Sequence, residues 1–130
     1  MKYAVLFFLF FGILSSANGQ EKQDSITVYY FMSDECRICQ YYSNLQIELY
    51  DTYNSDNLSF VGLFPNGFSS ISAIVAYKEK YQIPFVLKKE FFQTKTKKFG
   101  ATITPEVVVY NETKDEVLYK GRLDNSYARL

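Results

Sequence analysis

Cys36 and Cys39, the only two cysteines of the chain, stand in the run Cys36-Arg37-Ile38-Cys39. The apolar segment Ile26 to Met32 leads into them and an amphipathic stretch follows, so a strand delivers two thiols to the first turn of a helix. That is the arrangement of a dithiol that cycles with a disulfide. Unpaired amides and partial positive charge at a helix start stabilise an anion, and the thiolate is the reactive form of cysteine. Two intervening residues bring the second sulfur within one turn of the first, close enough to resolve a mixed disulfide. Cys36 is therefore the candidate nucleophile and Cys39 the resolving thiol. Arg37 favours the thiolate while Asp34 and Glu35 oppose it, so these neighbours leave the sign of the net effect open.

Other uses of a cysteine pair fit less well. Structural zinc takes four Cys or His ligands, and this chain offers two cysteines and no histidine. Haem attachment through Cys-x-x-Cys-His fails because Gln40 occupies the last place. No metal or bound cofactor is expected. A disulfide across two residues closes so small a loop that it adds little stability, which ranks a purely structural bridge below redox chemistry.

Several elements must hold the pair in place. Ile26 to Met32 reads as a buried strand, and Ile38, Tyr42, Leu45 and Leu49 recur at helical spacing, predicting one helix from about Arg37 to Tyr53. Leu58 to Phe64 is a second strand, and Pro65-Asn66-Gly67 turns the chain before Ser69 or Ser70 caps a helix ending near Tyr81. Pro84 forces Ile83 out of helical geometry, Phe85 to Leu87 is extended, and a brief helix spans Phe91 to Phe99 with Gly100 as its left-handed cap. Val107 to Tyr110, a polar turn, and Val117 to Tyr119 form a hairpin.

A length of 130 residues with 48% hydrophobic content suits one domain with its own core. Lys2, the apolar run Tyr3 to Leu14, and the small residues Ala17 and Gly19 make residues 1–19 a signal peptide, followed by a polar leader over 20–25 and the domain over 26–130. Export exposes the thiols to oxidising conditions, so a working redox role implies a protein that supplies or accepts electrons. Cleavage removes one charge, Lys2, and leaves a nearly neutral chain with no electrostatic reason to bind nucleic acid or an anionic membrane. Lys88, Lys89, Lys95, Lys97 and Lys98 form one basic cluster, read as the solvated face of a short helix. Twelve Tyr and twelve Phe mostly signal core, with exposed clustering of Tyr41 with Phe68 or Tyr77 as the sign of a recognition surface.

In their order along the chain, Cys36-Arg37-Ile38-Cys39, Phe64-Pro65-Asn66, Ile83-Pro84-Phe85, Thr104-Pro105-Glu106-Val107 and Tyr119 to Asn125 resemble exported bacterial redoxin-domain proteins. These are thioredoxin-fold relatives of peroxiredoxins and thiol-disulfide reductases. The resemblance covers Ile26 to Asn125 and implies an α/β, three-layer fold around a central mixed sheet. It also implies that Pro105 is cis and faces the CxxC turn, with Thr104 offering its backbone to an extended segment of a protein substrate. Thr104, Pro105 and Arg37 are then the substrate-positioning candidates. Glu106, beside the proline, is a candidate proton relay to Cys39, against the simpler reading of a polar group at a strand start. Arg122 and Asp124 read as a local ion pair in a turn.

The function this implies is an exported thiol-disulfide oxidoreductase acting on partner proteins. A peroxiredoxin-like peroxidase is the alternative: Ser33-Asp34-Glu35-Cys36 matches the end of that family's signature, but Tyr29 stands where its proline belongs and Ala101 to Pro105 lacks its arginine. A second alternative is a non-catalytic binding module with a structural disulfide. The thioredoxin fold normally ends in a helix covering one sheet face, and only Ser126 to Leu130 remain to build it here. The expectation is a fold truncated before that helix, with the face left bare or covered by an oligomer or a permanent partner.

Overall fold

The structure, a computed structural model, describes residues 21–126. The expected signal peptide over 1–19 and all but the first residue of the short C-terminal stretch lie outside them. Five strands form one mixed sheet in the order β3-β2-β1-β4-β5. The central strand β1 (Ile26–Phe31) pairs in parallel with β2 (Leu58–Phe64) and antiparallel with β4 (Glu106–Asn111). At the edges, β3 (Val86–Lys89) runs parallel to β2, and β5 (Glu116–Gly121) antiparallel to β4.

The two parallel connections carry the helices α1 (Arg37–Tyr41) and α2 (Ser43–Tyr53), then α3 (Ile71–Tyr81). Right-handed crossovers in the same direction place both connections on one face. Core contacts agree, since Ile47 and Tyr50 of α2 pack into the same cluster as Ile74 and Tyr77 of α3, over Val28 and Tyr30 of β1. The opposite face takes α4 (Thr94–Phe99), whose Phe99 packs with Tyr29, Phe31, Leu63, Val108 and Tyr110. The result is the expected three-layer α/β architecture. Alternation along β1 thus sends side chains into two cores, each fully buried large apolar group contributing about 1.5–3 kcal/mol.

The predicted single helix over Arg37 to Tyr53 is two helices that meet at Tyr42 (φ −83°, ψ −1°). Ser43 Oγ donates to the Gln40 carbonyl at 2.7 Å, the acceptor a continuous helix would offer to Asn44. The Tyr42 ring is buried and its hydroxyl donates to Asp124 at 2.6 Å. The break turns the second helix, so the inner position falls to Gln46 rather than Leu45. Gln46 is fully buried and neither of its amide atoms has a hydrogen-bond partner among the described residues, while Leu45 is half-buried.

Ser70 caps α3 as expected, accepting the Ala73 amide at 3.1 Å. The last helix starts later than predicted, at Thr94 instead of Phe91. Glu90 explains this, since its carboxylate accepts the Lys95 and Thr96 amides and fixes the first turn there. Gly100 ends α4 at φ 60°. The basic cluster is only partly a solvated face: Lys89 donates to the Ser69 carbonyl, and the Lys95 and Lys98 ammonium groups lie 5.6 and 4.5 Å from the Tyr110 ring centroid.

In the hairpin, Val109 pairs with Tyr119 and Tyr110 with Val117, which leaves Leu118 as a bulge on edge strand β5. Between α2 and β5 the sheet bears an open groove of about 280 Å³, lined by Val28, Leu49, Leu58, Val109, Tyr119 and Leu123.

Orphaned polar atoms in a core cost about 1–3 kcal/mol. Replacing Gln46 by Met removes two of them at similar volume and is expected to raise the unfolding free energy by about 1–2 kcal/mol. The readout is a higher denaturant midpoint with an unchanged slope.

Candidate active site

Past β1, the Met32 amide still reaches the Leu63 carbonyl at 2.8 Å, and Ser33 to Glu35 turn the chain into α1. Cys36 is the N-cap of that helix, with extended backbone, and its Sγ accepts the Cys39 amide at 3.2 Å. A thiol therefore stands where Ser or Asp usually caps. The Cys36 thiol in turn faces the Thr104 carbonyl at 3.6 Å, across 68 residues of chain. The Thr104-Pro105 bond is cis and Pro105 is buried at the head of β4. Cys36, Cys39, Thr104 and Pro105 come together at one end of the sheet.

The two thiols are free and differ in access: Cys36 is half-buried, Cys39 fully buried. Burial first, and then the hydrogen bond with Cys36, push the Cys39 thiol above its ordinary value of 9.0. Tyr77 of α3 shares the same core cluster. Its hydroxyl is buried without a hydrogen-bond partner among the described residues, and burial followed by the charge of Cys39 pushes it above its usual range.

Beside the thiols lies a groove of about 500 Å³ lined by Ile38, Tyr42, Ile103, Thr104, Pro105, Arg122 and Leu123. Arg122 belongs to this wall and not to the predicted ion pair. Asp124 instead accepts the Tyr42 hydroxyl at 2.6 Å and the Ser126 amide at 2.8 Å, and the first of these bonds does most to hold its carboxyl below the usual carboxylate value. Ile103 and Leu123 were missed by sequence reasoning. Their signal is their position, an apolar residue immediately beside Thr104 in one loop and beside Arg122 in the other. Arg37 is exposed on the first turn of α1, outside the groove, and carries no ion pair among the described residues.

Glu106 is on the wrong side of the sheet to relay protons to Cys39. It pairs with Phe31 across β1 and β4, so both side chains face the α4 layer, while Cys39 packs with Val107 on the other face. There Glu106 is buried, accepts the Thr102 amide at 3.0 Å and lies 3.8 Å from the Lys120 ammonium. Its role in the structure is to pin the loop before Pro105. Among the described residues no group of His, Cys, Asp and Glu is placed to hold a metal ion, and no helix is long and apolar enough to cross a membrane.

No protein-family model and no curated protein matches the chain. Solved structures do. An uncharacterized conserved protein from Geobacillus kaustophilus is similar at TM-score 0.71 and 23% identity, over 79% of this chain and 57% of that one. A thiol-disulfide oxidoreductase from Bacteroides fragilis is similar at TM-score 0.64 and 13% identity, over 81% and 77%. A secreted disulfide oxidoreductase of Mycobacterium tuberculosis is similar at TM-score 0.60 and 15% identity, over 72% and 66%. The chain spans little more than half the length of the Geobacillus protein. The fold is the thioredoxin fold.

Two results are expected from this geometry. An alkylating reagent should modify Cys36 in the folded, reduced protein and reach Cys39 only on unfolding, as read by mass spectrometry of the labelled peptides. The raised Cys39 value means the folded state holds that proton more tightly than the unfolded chain, so its contribution is complete below 9.0 and is lost as pH rises above it. The reduced protein should therefore lose stability above about pH 9, and Cys39→Ala should delay the loss until the buried Tyr29, Tyr30 and Tyr77, whose ordinary value is 10.0, begin to contribute.

Proposed function

We propose that the protein is an exported thiol-disulfide oxidoreductase that exchanges disulfides with partner proteins. The observation that carries this reading is the asymmetric pair itself. A half-buried Cys36 sulfur, fed by the Cys39 amide, opens toward the Thr104-Pro105 backbone, with a buried second thiol one helical turn behind it. Similarity to solved oxidoreductases of the same fold supports it, as does the secreted character of one of them.

In the reductive direction the Cys36 thiolate attacks one sulfur of the substrate disulfide. A Cys36-substrate bond forms, the substrate S–S bond breaks, and the departing thiolate takes a proton. Cys39, having lost its proton, then attacks Cys36 Sγ. The Cys36-Cys39 disulfide forms, the second substrate thiol leaves, and the substrate has gained two electrons at the expense of the dithiol. A donor protein restores the dithiol, or the same steps run backward to oxidise a partner. An extended substrate segment along Thr104 pairs with its backbone and brings the disulfide into line. The groove beside Pro105 takes a neighbouring side chain, with Arg122 on its wall, while Arg37 stands exposed on α1 outside it.

Equilibration with glutathione and dithiothreitol should give a reversible potential for the Cys36/Cys39 couple, and Cys39→Ala should trap a mixed disulfide through Cys36. A disulfide that resists reduction until the domain unfolds, with no trapped adduct, overturns the reading.

A further inference from the structure

Phe68, Phe91 and Phe92 are 86%, 67% and 85% exposed, on the loops that follow β2 and β3. Single exposed apolar groups are ordinary, whereas a group of large ones marks an interaction surface. These loops are locked together. Lys89 Nζ donates to the Ser69 carbonyl at 2.6 Å, Gln93 Nε2 to the Pro65 carbonyl at 2.9 Å, and the Glu90 amide to the Phe64 carbonyl at 3.0 Å. Asn66 Oδ1 accepts the Phe68 and Ser69 amides, at 3.0 and 2.7 Å, which fixes the tip that carries Phe68. The Lys89 ammonium, 5.6 Å from the Phe91 ring centroid, holds that ring at the surface. The phenylalanines are thus held out by a rigid frame.

The same frame reaches the reactive thiol. The Ser69 hydroxyl donates to the Asp34 carboxylate, two residues before Cys36. Because β1, β2 and β3 run parallel, the loops after them open at the end of the sheet that carries Cys36. The phenylalanine loops flank it on the β2 and β3 side, whereas Thr104 and Pro105 arrive from β4 on the other. On the elements that flank these loops, Arg37 on α1, Lys88 on β3 and Lys97 on α4 are exposed and carry no ion pair among the described residues, Lys88 three residues before Phe91 and Lys97 five after Phe92. The exposed acid Glu35 precedes Cys36, and the exposed acid Asp124 lies on the Tyr42 side.

We propose that Phe68, Phe91 and Phe92 form a docking surface for the redox partner of Cys36, a protein that presents an apolar patch ringed by acidic side chains. The proposal rests on the thiol-disulfide reading above and adds to it a second contact, separate from the Thr104-Pro105 groove. Aromatic anchors supply the affinity, and the basic rim supplies orientation and speed of encounter. The surface selects among protein partners and has no contact with a small disulfide.

The test compares two oxidised probes, insulin as an acidic protein disulfide and glutathione disulfide as a small one, on the reduced full chain. Phe68→Ser with Phe92→Ser alters only exposed side chains, and an unchanged denaturation curve checks the fold. The double variant should reduce insulin about tenfold more slowly while its rate with glutathione disulfide stays the same. Lys88→Glu should slow the insulin reaction severalfold at low salt, and the deficit should shrink as salt rises. Equal insulin rates in wild type and double variant overturn the docking surface and leave the exchange chemistry standing. So does a wild type that reacts with glutathione disulfide but not with insulin. A wild type inert toward both probes overturns the exchange chemistry and the docking together.

Discussion

The placement of β1 between a parallel and an antiparallel neighbour is the constraint on which the rest of the molecule depends. Both hydrogen-bonding edges of this strand are filled, by β2 and β4, and both of its faces are buried. Its direction therefore cannot change without breaking two ladders and two cores at once. Everything at its C-terminal end inherits that rigidity: the CxxC turn continues the strand, the Ser69 loop continues β2, and the Thr104-Pro105 bend introduces β4. Three segments distant in sequence meet around one turn because three adjacent strands begin or end there: the Thr104 carbonyl reaches the Cys36 sulfur, and the Ser69 hydroxyl reaches Asp34 two residues before it.

The two cysteines share a helix turn but not an environment. Cys36 is half-buried with a polar contact on each side, while Cys39 packs in the cluster of Ile74, Tyr77 and Val107. Access to substrate and protection from it are thus divided between two residues three positions apart. Polar groups without partners among the described residues, the hydroxyls of Tyr30 and Tyr77 and the amide of Gln46, lie between the sheet and the helices α2 and α3. That layer tolerates a cost in stability on the side of the sheet that holds the buried thiol.

Much of the fold was legible because it is local. Leu58 to Phe64 and the Ser70 cap follow from alternation and from capping chemistry, and the CxxC turn, Pro105 and Gly100 are each marked by residues with few other uses. What was not legible depends on partners far away. The helix break at Tyr42 is held by Asp124, 82 residues on, and no helical periodicity records it. The face taken by Glu106 depends on its register with Phe31, which a single strand does not reveal. Arg122 and Asp124 are close in sequence, yet each has found a different neighbour. Aromatic residues usually mean core, so the exposure of Phe68 and Phe92 was equally hidden. It arises from hydrogen bonds between two loops, made mostly through backbone carbonyls whose positions the side-chain sequence does not encode.

The bulge at Leu118 has a consequence for the chain in crowded solution. β5 is an edge strand whose Val117, Leu118 and Tyr119 are all exposed, the composition of a strand that invites another to add alongside. An extra residue in mid-strand puts the outward amides and carbonyls out of step, so an approaching strand that matches one half of the edge misses the other. The same irregularity that lets Tyr119 and Val117 face opposite layers thus makes the open side of the sheet a poor template for fibrous growth.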